Sequence, residues 1–155
     1  MTMTSRVFAY GILCACLVGC AHMVSAQDKI LTPSELNASV SEYAGRSVVV
    51  RGYVTLGPEA HSLYESEQLK KEFARRWDTD KDFDPNKYAG YCLTIANPDL
   101  IYGRRDTVSG KTITVKGRFV GDYLNGRVDF GACPLSTAII IDEADLKARY
   151  PEIFR

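Results

Sequence analysis

Histidine is scarce in this chain. Two occur in 155 residues, His22 and His61. That excludes a paired-histidine metal motif, and no serine-nucleophile motif accompanies either one. Net charge is missing too: 19 basic residues balance 19 acidic ones. No strong field therefore draws nucleic acid or anionic lipid to the protein. Long hydrophobic runs are absent; the stretch Val7 to Val18 has twelve residues, too few to span a bilayer as a helix. There is no coiled coil, low-complexity tract or second domain, and no cofactor is implied.

What is present begins with a leader. Arg6 followed by that apolar run has the build of a signal-peptide core, expected over residues 1–19. Leu17-Val18-Gly19-Cys20 resembles the lipobox of bacterial lipoproteins. That resemblance implies a cut before Cys20 and acylation of Cys20 as a membrane anchor. Ala21 follows where the inner-membrane retention signal would be Asp, which favours the periplasmic face of the outer membrane. The alternative is Val24-Ser25-Ala26, a small-x-small site that gives ordinary secretion with residues 1–26 removed. Residues 20–31 would form a tether, and residues 32–155 the folded domain.

Cysteine use agrees with export. Cys14, Cys16 and Cys20 belong to the leader, which leaves Cys92 and Cys133. One intramolecular pairing is possible, and an oxidising compartment favours it. In the chain-entropy model closing that loop is worth roughly 4 kcal/mol. The competing reading is two separately buried thiols.

The domain uses one pattern twice. Gly45-Arg46-Ser47-Val48-Val49-Val50-Arg51-Gly52-Tyr53-Val54 is matched by Gly110-Lys111-Thr112-Ile113-Thr114-Val115-Lys116-Gly117-Arg118-Phe119. Alternation puts Val48, Val50 and Val54 on one face, and Ile113, Val115 and Phe119 on the equivalent one. Arg51, Tyr53, Lys116 and Arg118 take the other face. Gly52 and Gly117 fall on the apolar face, where a missing side chain lets a strand bend.

Around these strands the order is readable. Thr32-Pro33-Ser34-Glu35 carries an N-cap, a first-turn proline and a capping box, and predicts a helix of about three turns ended by Gly45. His61 to Glu65 reads as a returning strand. Leu69, Phe73 and Trp77 predict an amphipathic helix from Ser66 to Trp77. Asp78 to Pro85 is an acidic loop, and Tyr91 to Ala96 a third strand, with Asn97-Pro98 breaking it. The second bent strand runs from Lys111 to about Tyr123. Asn125-Gly126 predicts a hairpin with Arg127 to Phe130 returning. Ala138 to Ile141 reads as the closing strand, and Asp142 to Arg149 as a weak helix stopped by Pro151.

That order predicts a mainly β fold: a small five-stranded barrel, a capped N-terminal helix, and a helical insertion between strands two and three. It resembles an OB-fold, whose first and fourth strands are neighbours. With the leader, it is similar to small exported bacterial OB-fold domains of uncharacterised type. The resemblance implies a ligand face on strands two and three. The export signal, the compact barrel and the missing catalytic set together point to a non-enzymatic, envelope-anchored module for an envelope protein, peptide or saccharide.

Arg51, Tyr53, His61 and Tyr64 are the candidate ligand-binding residues, as an aromatic and basic patch. Glu59-Ala60-His61 sets a carboxylate beside a histidine, and a hydrolase using Glu59 and His61 is the second expectation. Asp78-x-Asp80-x-Asp82-x-Asp84 has the oxygen spacing of a calcium loop, which makes a calcium-stabilised module the third. Phe83 and Ala89 stand where such a loop needs glycine and glutamate. A solvated loop facing the basic Lys70-Lys71 and Arg75-Arg76 helix is the simpler reading.

Overall fold

The computed structural model describes residues 29–155. The leader, Cys20 and both cleavage sites lie outside them.

The two repeated segments form the long strands β2 (Ser47–Gly57) and β5 (Thr112–Val120). Val48, Val50 and Val54 of β2 and Ile113, Val115 and Phe119 of β5 alternate inward, and Val50, Val54, Val115 and Phe119 are fully buried. The strands lie antiparallel, with Ser47 to Tyr53 opposite Arg118 to Thr112. From Tyr53 to Gly57, β2 also pairs with β3 (Ala60–Tyr64). Gly52 sits where β2 takes up that second neighbour, and it is a close approach. A Cβ there would lie 2.6 Å from Leu63 Cγ and 2.7 Å from the Tyr64 carbonyl oxygen. At Gly117, β5 is paired on both sides, to Val48 and to Ile141. A Cβ there would run into the Ile140 carbonyl and the Ile139 side chain.

Strands β4 (Cys92–Ile95) and β6 (Ala138–Ile141) complete the ring. The order β2-β3-β4-β6-β5 closes through the β2–β5 pairing, and β4 runs parallel to β6. This is a closed five-stranded mixed barrel of the OB-like kind, with the first and fourth strands adjacent. A two-residue strand β1 (Ile30–Leu31) adds to β2 in parallel. All four residues of β4 are buried, because the barrel covers one face and helices and loops cover the other.

The capping box forms: the Glu35 N–H donates to Thr32 Oγ1 at 3.3 Å, and the Thr32 N–H to Glu35 Oε2 at 2.8 Å. The expected three-turn helix is split, however, into α1 (Pro33–Ala38) and α2 (Val40–Tyr43). Ser39 leaves helical geometry at φ −132° and ψ 44°, and its carbonyl restarts the second turn. Asn37 holds the first piece to the barrel. Its Nδ2 donates to the Gly90 and Cys92 carbonyls at 2.8 and 3.0 Å, and its Oδ1 accepts from Thr137 Oγ1 at 2.6 Å. Leu36 is thereby fully buried in the barrel core. Gly45, at φ 79°, turns the chain, and its N–H donates to the Phe119 carbonyl.

The insertion between the second and third barrel strands is α3 (Glu67–Thr79), capped by Ser66, then α4 (Asn86–Ala89). Two short helices, α5 (Asp99–Tyr102) and α6 (Arg105–Val108), follow β4 and bury Ile101 and Val108. The C-terminal α7 (Glu143–Arg149) buries Leu146, and a closing 3₁₀ turn buries Ile153.

The hairpin expectation is half met. Asn125 and Gly126 take positive φ, 45° and 77°, as the turn requires. Yet Arg127 to Phe130 is not a strand. The Tyr123 N–H pairs with Ser136 rather than with the returning segment, so β5 ends at Val120 and a long loop crosses to β6.

Candidate functional site

Outward positions of β2 and β3 alternate with the core positions. Tyr53 stands opposite Tyr64, and Thr55 opposite Ser62. Helix α3 rises beside them from its Ser66 cap. On the other side the loop Phe130 to Pro134 is tied down by the Cys92–Cys133 disulfide, whose Cα atoms are 5.8 Å apart. The Cys133 N–H also donates to Thr94 Oγ1 at 3.0 Å. Between these walls runs a groove of about 520 Å³, floored by Thr55, Ser62 and Tyr64.

The groove is aromatic. Lys70 Nζ lies 5.2 Å from the Tyr64 ring centre and 5.8 Å from that of Phe73, which commits its charge to their faces. Phe73 packs on Trp77, Phe83 and Tyr88 at centroid distances of 5.9, 5.4 and 5.9 Å. The apolar face expected of this helix therefore exists but rests on its own insertion, and no α3 residue is fully buried. Two large apolar side chains stay in water at the groove: Trp77 is 61% exposed and Phe130 87%. Single exposed apolar residues are ordinary, but two facing one groove are not. Thr55 Oγ1 is buried in its floor without a hydrogen-bond partner. Burial also pushes the Tyr64 hydroxyl above its usual value.

A second hollow, about 450 Å³, opens beyond the loop, lined by His61, Asp129, Tyr123, Glu59 and Arg127 among others. His61 Nε2 lies 3.1 Å from Asp129 Oδ2, and the Tyr123 hydroxyl donates to the same oxygen at 3.2 Å. The Gly131 N–H donates to Oδ1 at 3.0 Å. Burial pushes the Asp129 carboxyl up, but the Gly131 N–H, the charge of His61 and the Tyr123 hydroxyl outweigh it and hold it low. Burial, then the carboxylate, push the Tyr123 hydroxyl up. The Gly131 backbone lies against the other edge of the imidazole, where a Cβ would strike Nδ1 and Cε1. The arrangement pins the loop to β3.

The four expected ligand residues do not form one patch. His61 pairs with Leu56 and shares its parity with Leu63, so it leaves the face that carries Tyr64. Tyr64 lines the groove, His61 lines the second hollow, and Tyr53 and Arg51 line neither. Arg51 is exposed opposite Thr114 of β5. Glu59 borders both hollows but has no hydrogen bond to His61; the carboxylate that reaches the imidazole is Asp129, 68 residues further on. Periodicity carries no trace of that pairing. Phe130 was legible only as a strand residue, and Trp77 only as a core one.

The acidic loop turns on itself. Asp80 Oδ1 accepts from the Asp82 N–H and Asp84 Oδ1 from the Asn86 N–H, while Phe83 joins the aromatic cluster. Among the described residues no ion pair joins the basic residues of α3 to this loop: Lys71 pairs with Glu67, Arg76 with Glu72, and Lys70 lies over the Tyr64 and Phe73 rings. Among the described residues no group of three or more His, Cys, Asp or Glu is placed to hold a metal ion. No helix among them is long and apolar enough to cross a membrane.

Comparison with known protein families, with curated proteins and with solved structures finds no match to this chain.

Proposed function

We propose that this protein is a non-enzymatic binding module of the cell envelope, exported and held to the membrane through Cys20, that takes another envelope component in the groove between α3 and β3. The observation that carries this is the pair Trp77 and Phe130, exposed on opposite walls of a groove whose base is a rigid barrel. Aromatic walls on a fixed scaffold bind without first having to order themselves. The disulfide and the Asp129 contacts fix the loop that carries Phe130.

The test is a photo-crosslinking side chain placed at Trp77, at Phe130, or at Arg118 on β5, in an exporting cell. The reading predicts adducts from the first two positions and none from Arg118. Equal yields from all three contradict it. Intact mass of the mature protein checks the anchor: an acylated chain beginning at Cys20 is expected, and an unmodified chain beginning at Gln27 would replace the anchor with plain secretion.

A hydrolase is the second reading, because His61 lies within hydrogen-bond reach of a carboxylate in a concave site. Its partner is then Asp129 in place of Glu59. Against it stand the engagement of Nε2 by Asp129 and the Gly131 backbone lying against the Nδ1 edge of the ring. Turnover of an envelope polymer that disappears in His61→Ala would establish it.

A further inference from the structure

The groove has a charge sign as well as an aromatic lining. Glu59 borders one side and Asp78 the Trp77 end. Neither carboxylate has an ion pair or hydrogen bond among the described residues. Beyond Asp78 the loop adds Asp80, Asp82 and Asp84 against Lys81 alone. One cation, Lys70, also lies in the groove over the Tyr64 and Phe73 rings and keeps its charge, so Glu59 and Asp78 leave the lining net negative by one. An occupant therefore meets apolar walls and free negative charge at the rim. Anionic glycans and acidic peptides are disfavoured by that sign, since like charges brought together cost affinity. A neutral saccharide would find hydroxyls on the floor, at Thr55, Ser62 and Tyr64. But it would bring no positive charge to Glu59 and Asp78, and Phe73, Ala74, Ala132, Pro85 and Pro134 offer it no side-chain hydrogen bonds.

Resting on the binding reading above, we propose that the groove's ligand is an extended peptide segment in which apolar residues such as proline or leucine stand beside lysine or arginine. The apolar residues seat between Trp77 and Phe130, and the cationic side chain reaches Glu59 or Asp78. The dimensions agree. From Lys70 to Trp77 the helix advances about 10 Å at 1.5 Å per residue, the span of about three extended residues. Aromatic grooves suit proline-bearing segments because the ligand is already extended and loses little freedom on binding.

The chain's single tryptophan, Trp77, reports occupancy through its own fluorescence. Four probes are titrated into the leaderless protein: a capped nine-residue proline- and leucine-bearing peptide with two arginines at one end, the same peptide with two glutamates, the same with two serines, and a neutral N-acetylglucosamine tetrasaccharide. The arginine peptide is expected to bind at least tenfold tighter than the glutamate peptide. In Glu59→Gln/Asp78→Asn that margin should shrink to less than threefold, with an unchanged far-ultraviolet spectrum. Saccharide binding with no preference among the peptides overturns the peptide assignment and leaves the groove as the site. An equal response to the arginine and glutamate peptides overturns the charge argument. No response to any probe at millimolar concentration overturns both the ligand class and the groove.

Discussion

Two glycines and one aspartate carry the most testable weight among single residues. Gly52 and Gly117 lie where backbone oxygens and core side chains crowd the missing Cβ. Gly52→Val or Gly117→Val should each cost about 1–3 kcal/mol, as overpacking does, read from urea unfolding. Neutral results at both would remove the close approaches from the account. Asp129 predicts a pH dependence. Its folded-state value is lowered, so its contribution is present above the unfolded carboxylate value of about 4 and fades as the pH falls through the lower folded value. Asp129→Asn should therefore unfold at lower urea than the parent at pH 7, with the gap closing in strong acid. A gap independent of pH would assign its effect to packing. The glycines were legible because alternation fixed which face they share. Asp129 was not, because its partner is set by a loop path that only the folded barrel defines.

Elements were legible in proportion to how local their causes are. The capping box at Thr32, the Ser66 helix, both bent strands and the short β6 all follow from signals within a few residues, and all formed. The failures were tertiary. The helix breaks at Ser39, next to the turn whose Asn37 is bonded to Gly90, Cys92 and Thr137. Arg127 to Phe130 leaves the hairpin because Asp129 is bonded to His61, Tyr123 and Gly131. Helix α3 kept its apolar stripe but spent it on Phe83 and Tyr88. The groove loop depends on the disulfide at its base. Replacing Cys92 and Cys133 by serine should cost up to about 4 kcal/mol of stability. It should also weaken binding of any groove ligand, measured by Trp77 fluorescence, as Phe130 loses its fixed position. Unaltered affinity in a folded variant would mean that the loop takes no part.

At the scale of the whole molecule, the barrel explains how a short chain holds an ordered surface. Closure leaves the five strands no free edge, so recognition falls to outward side chains and the loops around them. Neutral net charge hides a local difference: Arg51, Lys116 and Arg118 lie along the outside of β2 and β5, while the groove is lined by Glu59 and Asp78 against Lys70. The sequence pattern foresaw an outward aromatic face on the first two barrel strands. Its second wall came from an insertion and a loop that are far apart in the chain. The most direct measurement is an amide chemical-shift map of the isotope-labelled, leaderless protein with the ligand captured at Trp77. The account predicts shifts at Thr55, Ser62, Tyr64, Phe73 and Ala132 and at the Trp77 indole N–H, with Arg51, Lys116 and Arg118 unmoved. Shifts confined to Arg51, Lys116 and Arg118 would place recognition on the neighbouring β2–β5 face of the barrel and contradict it.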